Sequence, residues 1–203
     1  MSEALGEFVR GNMFSASLTP KSIPHRAVKI DVVTTLPANP QDGDEFYHIA
    51  DSTNGTLWRF RYRQGDSEYP WWFVGGAPLM GEVDTQESTS SVSYTDLATV
   101  GPAVTVQFAG DYVISFGASV QAPATAEASM SFQVGSTAAA SVDMAKVFNN
   151  TAAVVEASVA RHRFKTDVPA GSVITAKYGT TYGAGTSYFT YRWLHVIPVR
   201  IGG

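Results

Sequence analysis

Four histidines, His25, His48, His162 and His195, are the side chains best placed to bind a metal or move a proton near neutral pH, and they lie in four separate segments. No two of them stand two or four residues apart, and there is no HExxH pair, so no zinc-type ligand set is written locally. His195 sits among aromatics in a strand-like run and reads as a packed, hydrogen-bonded side chain. The acidic string Asp42, Asp44, Glu45 would suit a hard cation, but it departs from the twelve-residue calcium loop, and Asp-Gly-Asp between two strands is turn chemistry. A glycosidase needs two carboxylates about 5 to 9.5 Å apart across a cleft. Asp111, Glu127, Asp143, Glu156 and Asp167 fall near turns or on faces expected to be wet. There is no GxSxG elbow, no P-loop, no GxGxxG and no cysteine. The expectation is a chain with no catalytic residue, no metal and no cofactor.

Charge narrows the partners. Residues 1–80 and 81–203 each carry 7 basic and 9 acidic side chains, so neither half offers the positive surface on which phosphate binding depends. The two cationic runs, Arg59-Arg61-Arg63 and Arg161-Arg163-Lys165, place their charges at every second position. That is the spacing of a solvated strand face, with Phe60, Tyr62, His162 and Phe164 turned the other way. Nucleic acid is not an expected partner. Neither is membrane insertion, since no run reaches the ~18 apolar residues of a span and MSEALGEFVRGNMF lacks the basic and apolar regions of a signal peptide.

The elements that would position any site are strands. The 203 residues are 44% hydrophobic but only 16% charged, below the ~25% of an average domain, so Ser, Thr, Gly, Ala and Asn must cover much of the surface. The predicted class is all-β: a small N-terminal β-meander module followed by an antiparallel β-sandwich, jelly-roll-like. Residues 1–27 read as an arm, because Gly6, Gly11, Pro20 and Pro24 forbid a long helix. Leu5, Phe8, Val9, Met13 and Phe14 would then lie along a neighbouring subunit.

Residues 28–80 form the meander, with strands in VKIDVVTTL, EFYHIAD, TLWRFRYR and YPWWFVGG and a hairpin turn at Asn54-Gly55. A unit this small needs large side chains to close its core, which assigns Trp58, Phe60, Tyr62, Trp71 and Phe73 to the interior. Trp72 faces the other way and is a candidate interface residue. The polar stretch 81–92 reads as a linker. Residues 93–203 hold seven to eight further strands, with alternation cleanest at Tyr112, Ile114, Phe116 and at Met130, Phe132, Val134. Phe189, Tyr191, Trp193, His195, Ile197 and Val199 fall on one face of the last strand, facing core or a subunit contact, with Trp193 assigned to the core. The loop KYGTTYGAGTSYF, residues 177–189, reads as a long hairpin loop whose Tyr182 and Tyr188 are candidate contact residues.

Two stretches carry a resemblance. LPANPQDGDEFYHIADSTNGTLWRFRYR and YPWWFVGGAPL, within 36–79, resemble a small module of tailed-bacteriophage virion proteins. SYTDLATVGPAVTV, GDYVISFGA, VPAGSVITAKY and YRWLHVIPVRI, within 93–201, are similar to the β-domain found beside it, which resembles the trimeric jelly-roll heads of tumour necrosis factor and complement proteins. The resemblance implies a non-enzymatic virion protein, a minor tail or short-fibre component. It would be a homotrimer that docks on other virion proteins through its N-terminal part and contributes to host attachment, including a bacterial surface receptor or glycan. It would be assembled in bacterial cytoplasm and carried in the virion. The alternatives are a capsid decoration or head-fibre protein and, in another class, a carbohydrate-binding or depolymerising module built on Trp72, Tyr182 or Tyr188.

Overall fold

The computed structural model describes residues 32–182 and 184–202. The arm at 1–27, with Phe8, Phe14 and His25, and the beginning of the first predicted strand lie outside the described residues. The described residues form thirteen strands: β1 (Val32–Val33), β2 (Glu45–Asp51), β3 (Thr56–Tyr62), β4 (Trp71–Gly76), β5 (Leu79–Val83), β6 (Glu87–Thr89), β7 (Ala103–Thr105), β8 (Ala109–Ala122), β9 (Glu127–Val134), β10 (Ala145–Phe148), β11 (Val155–Val168), β12 (Val173–Tyr182) and β13 (Ser187–Gly202). The all-β, sandwich-like architecture expected from the alternation is what forms. The described residues contain no α-helix, only a 3-10 turn at Ser141–Asp143.

The meander builds as its sequence dictates. β2 and β3 pair antiparallel across the Asn54-Gly55 turn, where Gly55 takes a φ of 67° and the Asp51 carboxylate accepts hydrogen bonds from the amides of Thr53 and Asn54. Phe46, Trp58, Phe60 and Trp71 are buried, with Phe46 stacked on Phe60 at 5.2 Å and edge-on to Trp71 at 4.6 Å. Tyr62 and Phe73, also expected inside, pack half-buried at the margin of this core. Trp72 alternates outward as its position requires.

The meander is not a separate domain, however, and 81–92 is not a free linker. β4 pairs with the end of β13, Trp72 opposite Arg200 and Trp71 opposite Ile201, so β1 to β4 extend the same nine-stranded sheet as β13, β8 and β11. β5 and β6 lie on either side of residues 84–86 and both hydrogen-bond to β13, which turns the polar stretch into an edge of that sheet. Residues 32–203 accordingly form one compact unit. The physical reason is edge satisfaction: the short β5 and β6 give β13 a second partner where its backbone groups would otherwise be unpaired.

The second sheet has the order β10-β9-β12-β7. From β7 onward the chain passes repeatedly between the two sheets, β7 to β8, β8 to β9, β10 to β11, β11 to β12 and β12 to β13, a jelly-roll-like path. Residues 177–189 are therefore a crossing between sheets, not a hairpin loop. Tyr112, Ile114, Phe116, Val120, Phe189, Leu194 and Val196 of the large sheet meet Met130, Phe132, Ile174 and Tyr178 of the small one. Phe116 and Phe132 touch across the layers with ring centroids 5.3 Å apart.

Two faces differ from the alternation read in sequence. In β13, the pairing advances from Thr190 opposite Ser119 to Trp193 opposite Gly117, three residues against two. The extra residue is a β-bulge, with Tyr191 at a φ of 49°. Everything after it changes face. Arg192 turns inward and is fully buried, while Trp193 turns outward to half-burial, contrary to its expected place in the core. Gly117 makes room for the indole, since a Cβ there would lie 2.7 Å from Trp193 ring atoms and 2.6 Å from the Val159 carbonyl. In β11, Arg161, Arg163 and Lys165 form the half-buried inward side and His162 and Phe164 the exposed one. The basic face is drawn in because buried Asp143 accepts hydrogen bonds from Arg163 Nε and Lys165 Nζ at 2.9 Å each, and the Met144 carbonyl accepts one from Arg161. Burial alone would raise the Asp143 carboxyl, but the two cations outweigh it and hold the group below its ordinary range.

Buried Arg192 fastens the segment before β7. It pairs with Glu87 at 3.0 Å, donates to the carbonyls of Thr85, Thr99 and Gly101, and lies 5.3 Å over the Tyr178 ring. Glu87 in turn accepts from the Thr99 amide and hydroxyl, which with Arg192 overcome its desolvation and keep it ionised below the usual range.

The opposite burial of adjacent indoles gives a direct test of register. Trp71→Ala should cost about 3 to 5 kcal/mol in denaturant unfolding, as for a large core truncation, whereas Trp72→Ala should cost no more than about 1 kcal/mol. Equal losses would mean that the β3–β4 register is wrong.

Candidate functional site

The cross-strand row Arg61–Trp72–Arg200, on β3, β4 and β13, presents an exposed indole between two guanidiniums. The turn from Gln64 to Pro70 folds back over it because Asp66 accepts hydrogen bonds from the amides of Glu68 and Tyr69. The same carboxylate accepts from Trp72 Nε1 at 3.2 Å and from Arg200 Nη1 at 2.9 Å. Arg200 Nε then donates to Asp111 at 2.6 Å, and Asp111 is fully buried. The chain of contacts ends on the backbone amide of Asp167, which donates to Asp111, and on Tyr69, whose hydroxyl donates to the Asp167 carboxylate. A surface tryptophan is thus oriented by a polar network rooted in the core.

Electrostatics follow from that network. Hydrogen bonds to Asp111 and Asp66 raise Arg200, so its charge is permanent. Asp66 is pushed up by desolvation, yet the bonds from Arg200, the Tyr69 amide and Trp72 prevail and leave it below the ordinary carboxylate range. Beside the indole opens a hollow of about 750 Å³ lined by Asp42, Arg63, Asp66, Glu68, Trp72 and Arg200. Arg63 makes no ion pair among the described residues, while Arg59 and Arg61 each grip Glu45 with two nitrogens. Those contacts also account for the acidic string: Asp44 accepts from the Gln41 amide, Asp42 from the Gln64 amide, and Glu45 serves the two arginines. Among the described residues, no three acidic or histidine side chains cluster as a metal site would require.

A second surface is the outer face of the large sheet. Its rows across β11, β8 and β13 read Phe164–Val113–Ile197, His162–Ser115–His195, Ala160–Gly117–Trp193 and Ser158–Ser119–Thr190. Within these four rows there is no Asp, Glu, Lys or Arg. Phe164 is 54% exposed, Trp193 packs beside His195 at 4.9 Å, and Met80 of β5 extends the apolar area next to His195. Charges border these rows: Glu82 of β5 stands opposite Trp193, Arg200 and Asp111 pair beyond Ile197 and Val113, and Glu156, hydrogen-bonded to Gln121, lies one row beyond Ser158. His48, in contrast, is buried, with Nδ1 donating to the Val33 carbonyl and the ring against Phe108.

The residues singled out in sequence do not converge. Tyr182 and Tyr188 are exposed as expected, but Tyr182 ends β12 in the small sheet beside Phe148, and Tyr188 begins β13 in the large one. Trp72 pairs with Arg200, twelve residues along β13 from Tyr188, or about 40 Å at ~3.3 Å per residue. Sequence reasoning missed Asp66 and Arg200, whose only local signal was the Gly65-Asp66 turn, and expected Asp111 near a turn or on a wet face, where the structure buries it under Arg200.

No family model matches the chain, and no curated protein matches it. Among solved structures it is similar to the tumour necrosis factor Eiger from S. frugiperda, at 9% identity and a TM-score of 0.45, covering 63% of this chain and 96% of that one. It is also similar to the globular domain of zebrafish complement 1qA, at 11% identity and a TM-score of 0.39 over 62% of this chain and 99% of that one. Infectious bursal disease virus, Gx strain, follows at 10% identity and a TM-score of 0.35 over 82% of this chain and 54% of that one. Among the described residues no helix is long and apolar enough to cross a membrane.

Arg200→Met should cost roughly 2 to 5 kcal/mol at pH 7, because it strands the buried Asp111 and frees Asp66. Asp66 has a depressed folded value, so its share of the stabilisation is complete above the ordinary carboxylate range near 3.9 and is lost as pH falls through the folded value. The gap between wild type and Arg200→Met in urea should therefore narrow below about pH 4. A gap independent of pH would contradict the network.

Proposed function

We propose that the chain is a non-enzymatic structural protein of a tailed-bacteriophage particle, a minor tail or short-fibre component that works as a homotrimer and contributes to host attachment. The observation that carries the self-association is the charge-free part of the large sheet's outer face, the four rows across β11, β8 and β13. Copies arranged around an axis bring each residue near its own equivalents, so a charge close to the axis meets a like charge. Four successive rows without Asp, Glu, Lys or Arg, interleaved with Phe164, Val113, Ile197 and Trp193, satisfy that condition and would bury apolar area that a monomer leaves exposed. The virion setting is supported by the resemblance of 36–79 and 93–201 to bacteriophage virion modules.

Light scattering on the purified chain should give three times the 21.7 kDa of one copy. Ser115→Glu and His162→Glu place carboxylates on the outer face and should each yield monomers with wild-type circular dichroism. Val142→Glu, at an exposed site on the 3-10 turn, should stay trimeric. A wild-type monomer at high concentration, or trimers that tolerate both carboxylates, would overturn the reading. The particle assignment is tested by whether the chain co-sediments with phage released by lysis.

A further inference from the structure

Trp72 is exposed, yet it is fixed in place. Its Nε1 donates to Asp66, Asp66 is held by Arg200, and Arg200 is anchored on buried Asp111. A partner that stacks on this ring therefore orders little that is not already ordered. The hollow beside it, about 750 Å³, is wide open to solvent, which suits a ligand that lies along the surface against the indole and not one enclosed in a cleft. Its rim supplies hydrogen-bond acceptors in the carboxylates of Asp42 and Glu68 and a donor in the Arg63 guanidinium, which has no ion-pair partner among the described residues.

Charge decides the ligand class. Three carboxylates, Asp42, Asp66 and Glu68, stand against two guanidiniums, Arg63 and Arg200, so the lining neither concentrates an anion nor isolates a cation. What remains is a ligand with one apolar face for the indole and a rim of groups that both donate and accept. A pyranose ring has that form: its axial C–H bonds make an apolar face, and each hydroxyl can give a proton to a carboxylate while accepting from a guanidinium. We propose that the Trp72 hollow is a binding site for a neutral saccharide. The proposal rests on the attachment part of the proposed function and gives it a chemical target; it requires no bond to be made or broken.

The test is saturation-transfer NMR and titration of the full chain with three neutral probes, maltohexaose, isomaltohexaose and chitotetraose, and one acidic probe, hyaluronan tetrasaccharide. At least one neutral probe should bind. Trp72→Ala should weaken it about tenfold, the loss of one stacked ring, and Arg63→Ala should weaken it severalfold, both with thermal midpoints within about 4 °C of wild type. Val142→Ala should leave binding as it is. No transfer to any neutral probe, binding only to hyaluronan, or binding that survives Trp72→Ala would each overturn the site. Light scattering on the same samples separates the two proposals: a trimer that binds no neutral probe overturns the site alone, and a monomer that binds one overturns the self-association alone.

Discussion

The backbone ladder of β13 is the constraint on which the rest of the molecule depends. Along one edge it pairs with β8 for almost its whole length, and along the other it takes β6, β5 and β4 in turn. A sixteen-residue strand in the middle of a sheet has to satisfy amides and carbonyls on both sides, and three short strands do this where one long strand would have to match its twist throughout. The two bulges in β13, after Thr190 and after Pro198, absorb the mismatch. Each re-aims side chains: the first sends Arg192 into the core and Trp193 outward, the second brings Arg200 opposite Asp111. The buried ion pair with Glu87 and the network that orients Trp72 are thus consequences of where one strand gains a residue.

Much of this was legible in the sequence where side-chain period and turn chemistry act locally. The inward set Tyr112, Ile114 and Phe116, the burial of Trp58, Phe60 and Trp71 and the exposure of Trp72 follow from alternation, and the Asn54-Gly55 hairpin from its turn residues. What alternation cannot reveal is a bulge, because a single inserted residue inverts every face beyond it. That is why Trp193 was expected inside and Arg192 was not. Gly117 opposite Trp193 was the available hint, since a glycine in a strand marks a close approach.

The edges were hidden for a different reason. Strands as short as Glu87–Thr89 have no hydrophobic period to detect, and their stability comes from a partner far along the chain. Polar composition made 81–92 look like a linker, although Leu79 is buried and Glu87 is spent on Arg192. The same blindness applied to the basic run of β11: its spacing was right, but whether it faced water depended on Asp143 of another segment. Long-range ion pairs decide faces that local pattern leaves symmetrical.

The meander and the jelly roll are one body joined through β13, with the outer sheet face and the Trp72 hollow as two of its surfaces. Native-state hydrogen exchange tests this most directly. If β13 is the common spine, the slowest amides of β2, β3 and β4 will open with the same free energy as those of β8 and β13, in one global unfolding step. Exchange of β2 to β4 through a separate opening at lower free energy, with β8 and β13 still protected, would contradict it and restore the meander as an independent domain.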